Sequence, residues 1–170
     1  AISIFSFVLQ QRPQWARAYY NRGLALARTQ QYAKAVKDYT QAINLDPEMA
    51  QAFNNRALAY FLLGKKDKAL TDWGQALSLD NTYAYAYYNR GKAYSEYSNF
   101  ERAIVDYNKA IEENANFAAA LNNRGVARIR LKSYEEAVAD FSRAIDINSN
   151  DPTFFYNRAV CFRQQINFFS

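Results

Sequence analysis

One tripeptide, Asn-Arg-Gly or its near copy Asn-Arg-Ala, recurs five times in this chain at a fixed spacing of 34 residues. The copies are Asn21-Arg22-Gly23, Asn55-Arg56-Ala57, Asn89-Arg90-Gly91, Asn123-Arg124-Gly125 and Asn157-Arg158-Ala159. A constant period of this length marks supersecondary units stacked in an array, each too small to bury its apolar face alone. Stacked units expose long continuous surfaces, which suit the binding of other chains better than they suit chemistry.

With Ala16, Ala50, Ala84, Ala118 and Pro152 as first residues, the first half of each unit has helical periodicity. Tyr19, Gly23 and Leu26 fall at i, i+4 and i+7, as do Phe53, Ala57, Tyr60 and Tyr87, Gly91, Tyr94. The second half repeats the spacing with small-aromatic-small triplets: Ala35, Tyr39, Ala42; Ala69, Trp73, Ala76; Ala103, Tyr107, Ala110; Ala137, Phe141, Ala144. Small residues let two helices approach while the ring between them fills the remaining space. Each unit is therefore predicted to be a helix hairpin, jointed near Gln30-Gln31, Gly64-Lys65, Ser98-Asn99 and Lys132-Ser133. Pro47 closes one second helix, because the residue before proline disfavours helical backbone.

This pattern resembles the tetratricopeptide repeat: 34 residues, an aromatic with Gly or Ala four later, then Ala, aromatic, Ala. The resemblance covers essentially the whole chain and departs from the family mildly. Asn81, Ala115 and Ser149 replace the closing proline, and only Gly64 keeps the glycine between the two helices. It implies an all-α fold, a right-handed superhelical solenoid of helix hairpins forming one continuous domain. The expected parts are a second helix of an incomplete repeat at 1–15, repeats at 16–49, 50–83, 84–117 and 118–151, and a first helix at 152–170. The 15 residues at one end and the 19 at the other together make one period. Two arrangements fit: the tail of one molecule completes a unit with the head of another, giving a homo-oligomer, or the chain is a piece of a longer array with 152–170 as a cap. The aromatic end Phe168-Phe169 suits a cap poorly, since capping helices present a polar outer face.

Composition removes most catalytic readings. There is no histidine, so His-based triads, His general bases and the common zinc sites are excluded. No Gly-rich phosphate loop or nucleophile-base pair is present. Neither an enzyme nor any cofactor or metal is expected, and no small-molecule substrate. Cys161 stands alone among apolar residues, which fits a buried small side chain and a reducing compartment such as the cytoplasm. The apolar stretch 2–9 is too short to span a bilayer and lacks the basic start of a signal peptide.

Net charge is +5, but much of it looks neutralised in place. Arg22, Arg56, Arg90, Arg124 and Arg158 stand where most repeats of this family carry an aliphatic residue. An unpaired guanidinium beside a core face is costly. Asp38, Asp72, Asp106 and Asp140 follow the first four at a constant 16 residues, so a bridge inside each hairpin is predicted. Arg158 has no such acid in the chain.

The asparagines precede the arginines by one residue, about 100° around the helix. In the family the first helices line the concave side, which would set Asn21, Asn55, Asn89, Asn123 and Asn157 in a row along the groove. The row is similar to the asparagine ladder of O-linked N-acetylglucosamine transferases, a likeness confined to those five residues. A carboxamide both donates and accepts, so a row can pair with the backbone of an extended peptide. It can equally bond a neighbouring helix and hold the stack together. Beside the row come Tyr20, Asn54, Tyr88, Asn122 and Tyr156; then Leu24, Leu58, Lys92, Val126 and Val160; then Ala27, Phe61, Ser95, Ile129 and Arg163. Arg17, Arg28 and Arg130 add positive charge against Glu96. This mixture suits a scaffold or adaptor that holds an extended protein segment. The alternative is a helical-repeat RNA-binding protein stacking bases on Tyr20, Tyr88 and Tyr156. Co-chaperone repeats that clamp a C-terminal carboxylate need Lys, Asn and Arg where Tyr20, Leu24, Asn55, Tyr85 and Asn89 stand, so only Asn55 agrees.

Overall fold

The computed structural model describes the backbone of residues 1–169 and the side chains of residues 1–166. All regular structure among them is helical: α1 Ile2–Gln11, α2 Ala16–Arg28, α3 Tyr32–Leu45, α4 Ala50–Leu62, α5 Lys66–Leu79, α6 Ala84–Glu96, α7 Phe100–Glu113, α8 Ala118–Arg130, α9 Tyr134–Ile147 and α10 Pro152–Phe169. The chain forms two compact units. One spans Ala1–Thr82 and holds α1 to α5; the other starts at Tyr83 and holds α6 to α10. Within each unit the strongest packing joins the two helices of a hairpin, and the next joins a second helix to the first helix that follows it. None of the described helices is long and apolar enough to cross a membrane.

The small-aromatic-small triplets explain the close hairpins. Ala35, Ala42, Ala69, Ala76, Ala103, Ala110, Ala137 and Ala144 are fully buried, and so are the rings of Tyr39, Trp73, Tyr107 and Phe141 between them. The first helix answers each ring with a small residue. A Cβ added at Gly23 would lie 2.6 Å from the Tyr39 ring, and one at Gly125 would lie 2.8 Å from the Phe141 ring. Hairpin approach and the Asn-Arg-Gly motif therefore share one cause: the third residue of the motif is the floor on which the ring lies.

Two turn devices alternate at the same period. After each first helix the chain enters the left-handed region at Gln30, Gly64, Ser98 and Lys132, with φ of 58°, 73°, 57° and 62°. The amides that follow, of Gln31, Lys65, Asn99 and Ser133, reach back to the carbonyls of Leu26, Tyr60, Tyr94 and Arg128 at 2.8–2.9 Å. This is a Schellman closure. After each second helix, Asp46, Asp80, Asn114 or Asn148 accepts the amide two residues on, from Glu48, Thr82, Asn116 or Asn150. The same side-chain turn forms at Asp46, before the retained Pro47, and at the three joints where the proline is replaced.

Three of the four left-handed positions hold residues with a Cβ, which this backbone region penalises. Lys132→Gly is expected to raise stability by about 0.5–1 kcal/mol, the relief of that penalty less glycine's extra unfolded-state entropy. Gly64→Ala should lower it by a similar amount. Urea midpoints for the two variants check this; movement of both in the same direction would refute it.

Candidate peptide-binding face

The arginine of each of the first four motifs is locked by a fork. Arg22 Nε and Nη2 donate to the two carboxylate oxygens of Asp38, both at 2.7 Å. Arg56 does the same to Asp72 at 2.7 and 2.8 Å, and Arg90 to Asp106 at 2.8 Å twice. Arg124 grips Asp140 likewise, and Arg128 Nη1 adds a further bond to that carboxylate at 2.6 Å. The acids are buried and the arginines partly so. Burial pushes the Asp106 carboxyl up, while the Arg90 guanidinium pulls it back. The predicted intra-hairpin bridges are thus present at all four places.

The third guanidinium nitrogen makes a tie that the offset of 16 did not suggest. Arg22 Nη1 donates to Ser6 Oγ, Arg56 Nη1 to Thr40 Oγ1, Arg124 Nη1 to Asn108 Oδ1, and Arg158 Nη1 to Ser142 Oγ. Each acceptor lies 16 residues before its arginine, on the second helix of the preceding hairpin. One side chain therefore joins its own hairpin to the one before it. The signal was present in the sequence as a hydroxyl or amide recurring at the period, at 6, 40, 108 and 142. Arg158 satisfies itself in this way without an acid.

The amides of the Asn row bond their neighbours. Asn55 Nδ2 donates to Tyr20 Oη at 2.9 Å, which links α4 to α2. Asn123 Nδ2 donates to Tyr88 Oη at 3.3 Å and links α8 to α6. Asn157 Nδ2 donates to Asn122 Oδ1 at 2.8 Å and links α10 to α8. Of the two roles open to the row, joining adjacent first helices is realised at these three residues. Burial raises the Tyr20 and Tyr88 hydroxyls above the usual phenol range, against the pull of the asparagine bond. Both stay protonated at neutral pH.

Two expected groove residues are displaced. Asn54 is 3% exposed and Asn122 8%, so neither is open to a ligand. Asn54 Oδ1 accepts from the indole Nε1 of Trp73 at 3.2 Å, while its amide donates to Asn55 Oδ1. Asn122 donates to Asn123 Oδ1 and accepts from Asn157. Asn54 turns into its hairpin and Asn122 is covered beside α10, whereas Tyr20 and Tyr88, at the same repeat position, are only half-buried. Phe61 and Ile129 are also less available than expected. The Phe61 ring tilts against Trp73 at 5.9 Å, and Ile129 packs on Ala137, Phe141 and Cys161.

Each unit presents a different set of uncovered residues. In the first, Leu58 and Asn55 border a cleft of about 230 Å³ between α2 and α4, completed by Leu24, Ala27, Arg28, Tyr32, Tyr39, Ala59 and Leu62. Leu62 lies one turn beyond Leu58 and could have been placed by that spacing. Asn21 borders a separate cleft with Ile2, Phe5, Leu24 and Arg28. In the second unit Val126, Arg130 and Tyr156 are exposed, and Lys92 Nζ sits 5.8 Å over the Tyr88 ring. Asn89 is half-buried on α6. The predicted end residues Phe168 and Phe169 lie outside the described side chains.

Helix hairpins at a fixed period, tied by recurrent side-chain bonds and leaving uncovered faces, define a helical-repeat scaffold. The chain belongs to the tetratricopeptide repeat family: the Tetratricopeptide repeat model matches residues 16–49, 84–117 and 118–151, and a TPR repeat model matches residues 57–97. No curated protein sequence matches it significantly. Among solved structures it is similar to MamA, at 25% identity over 87% of this chain and 86% of that chain, with a TM-score of 0.79. It also resembles the first TPR of Spaghetti (RPAP3) bound to the HSP90 peptide SRMEEVD, at 26% identity over 70% of this chain and 94% of that chain, TM-score 0.67. YrrB, a TPR protein with an unusual peptide-binding site, shares the fold at 20% identity over 98% of this chain and 86% of that chain, TM-score 0.79.

Proposed function

We propose that this chain is a non-enzymatic scaffold that holds an extended segment of a partner protein against the uncovered faces of its first helices. The observation that carries this reading is the apolar surface those helices leave open beside amides: the Leu24–Leu58–Leu62 cleft in one unit, and Val126 (37% exposed) with Tyr156 (68% exposed) in the other. The similarity to a TPR domain seen with a bound peptide supports it. Asparagines alone are too weak, since each hydrogen bond contributes about 0.5–1.5 kcal/mol net and micromolar affinity needs about 8 kcal/mol. Burial of a few apolar anchors, at about 1.5–3 kcal/mol each, supplies the larger share.

RNA binding is the weaker reading because four motif arginines are already held by carboxylates. Panning a random dodecapeptide phage library on the intact chain tests the proposal. Enriched peptides should converge on a shared pattern and bind the chain in solution. No convergence, together with binding of single-stranded RNA that falls steeply with salt, would replace the peptide reading by the nucleic-acid one.

A further inference from the structure

The cleft between α2 and α4 lies beside a small residue at one repeat position. Ala27 forms part of its wall, whereas the same repeat position holds Phe61 and Ile129 further along. Those larger side chains lean onto the hairpin ring beneath them: Phe61 on Trp73, and Ile129 on Phe141 and its neighbours. Ala27 is too short to lean in this way, and Tyr39, buried beneath the Tyr20 ring at 6.1 Å, borders the cleft together with Tyr32. The volume, about 230 Å³, has room for a single large apolar side chain.

The charge around this cleft has one sign. Neither α2 nor α4 contains an acidic residue. Arg22 and Arg56 are consumed by Asp38 and Asp72 on the second helices. Arg28 is different: it borders the cleft, is exposed, and has no carboxylate partner among the described residues. An open, largely apolar slot beside a guanidinium with no carboxylate partner favours a ligand that brings both an apolar side chain and a carboxylate.

Building on the peptide-scaffold reading, we propose that this cleft is a specificity pocket for an extended partner segment in which a Leu-, Met- or Phe-sized side chain sits within one or two residues of an Asp or Glu. The apolar side chain enters between Leu24, Ala27, Leu58 and Leu62, and the carboxylate pairs with Arg28. Tyr20 lies behind the site, where its bond to Asn55 ties α2 to α4.

The same phage panning, repeated on variants, tests this. On the unaltered chain, enriched peptides should pair a large apolar residue with a nearby acid. A synthetic peptide of that consensus should bind Ala27→Phe about tenfold or more weakly, because the new ring occupies the slot. Arg28→Gln should keep the apolar preference and lose the acidic one, with a flatter salt dependence of binding. Leu58→Ser is a second way to spoil the pocket if Ala27→Phe lowers the melting temperature. Peptides that converge but are unaffected by all three variants, and are lost instead with Val126→Asp, would overturn the pocket and leave the scaffold reading standing. Failure of any peptide to converge would overturn both. Concentration-dependent self-association that Ala27→Phe abolishes would assign the cleft to a second copy of the chain, against the proposal.

Discussion

Asp140→Ala is expected to cost about 3–5 kcal/mol of stability in the second unit, since it strips a buried partner from a guanidinium that cannot lose its charge. Asp140 is the most heavily used of the four acids. It takes two bonds from Arg124 and one from Arg128, so its removal leaves two arginines unpaired beside the core. Asp106→Ala, which orphans Arg90 alone, should cost less than Asp140→Ala and still far more than the exposed Lys65→Ala, whose effect should stay within about 0.5 kcal/mol. Repeat arrays unfold in parts, so the loss is best read by hydrogen exchange along α8 and α9 together with the urea midpoint. Equal and mild effects for Asp140→Ala and Lys65→Ala would show that the forks contribute nothing beyond a solvated pair.

Trp73→Ala carries the other large effect, about 3–5 kcal/mol in the first unit. The indole is fully buried, and its N–H donates to Asn54. It also backs Phe61 at 5.9 Å. Ala57 holds the repeat position that Gly23 and Gly125 hold against their rings, and deletion of the indole leaves a void in the middle of the hairpin. Trp73→Phe should be milder, because Phe141 fills the same repeat position in the second unit with full burial. Thermal melts of the two variants decide the matter: an alanine variant as stable as the phenylalanine variant would mean that the hairpin collapses around the gap.

These expectations differ in how far they could be read from the chain alone. The period of 34, the hairpin frame and the 16-residue offset between arginine and aspartate are local or intra-hairpin properties. Helical phase assigns them, since residues three or four apart share a face and a 16-residue offset returns the chain across one turn. The bridges Arg22–Asp38, Arg56–Asp72, Arg90–Asp106 and Arg124–Asp140 were legible for that reason.

The uncovered face was legible only in outline. Position 20 and its equivalents lie at the edge of the buried stripe, where phase alone does not tell inside from outside. Side-chain length decides there: Tyr20 and Tyr88 stay half-exposed while bonding the next first helix, and the shorter Asn54 and Asn122 are buried. The partners of Asn55 and Asn123 lie 35 residues away in sequence, so the fate of each amide depended on the distance between two first helices. That distance is a packing outcome of how one hairpin seats on the next. Periodicity and helical phase were enough for the tetratricopeptide array and for the arginine-aspartate lock in each of its four hairpins. Which amides are spent between helices, and the cleft that Ala27 borders, follow from the mutual fit of neighbouring helices and not from the periodicity of any one.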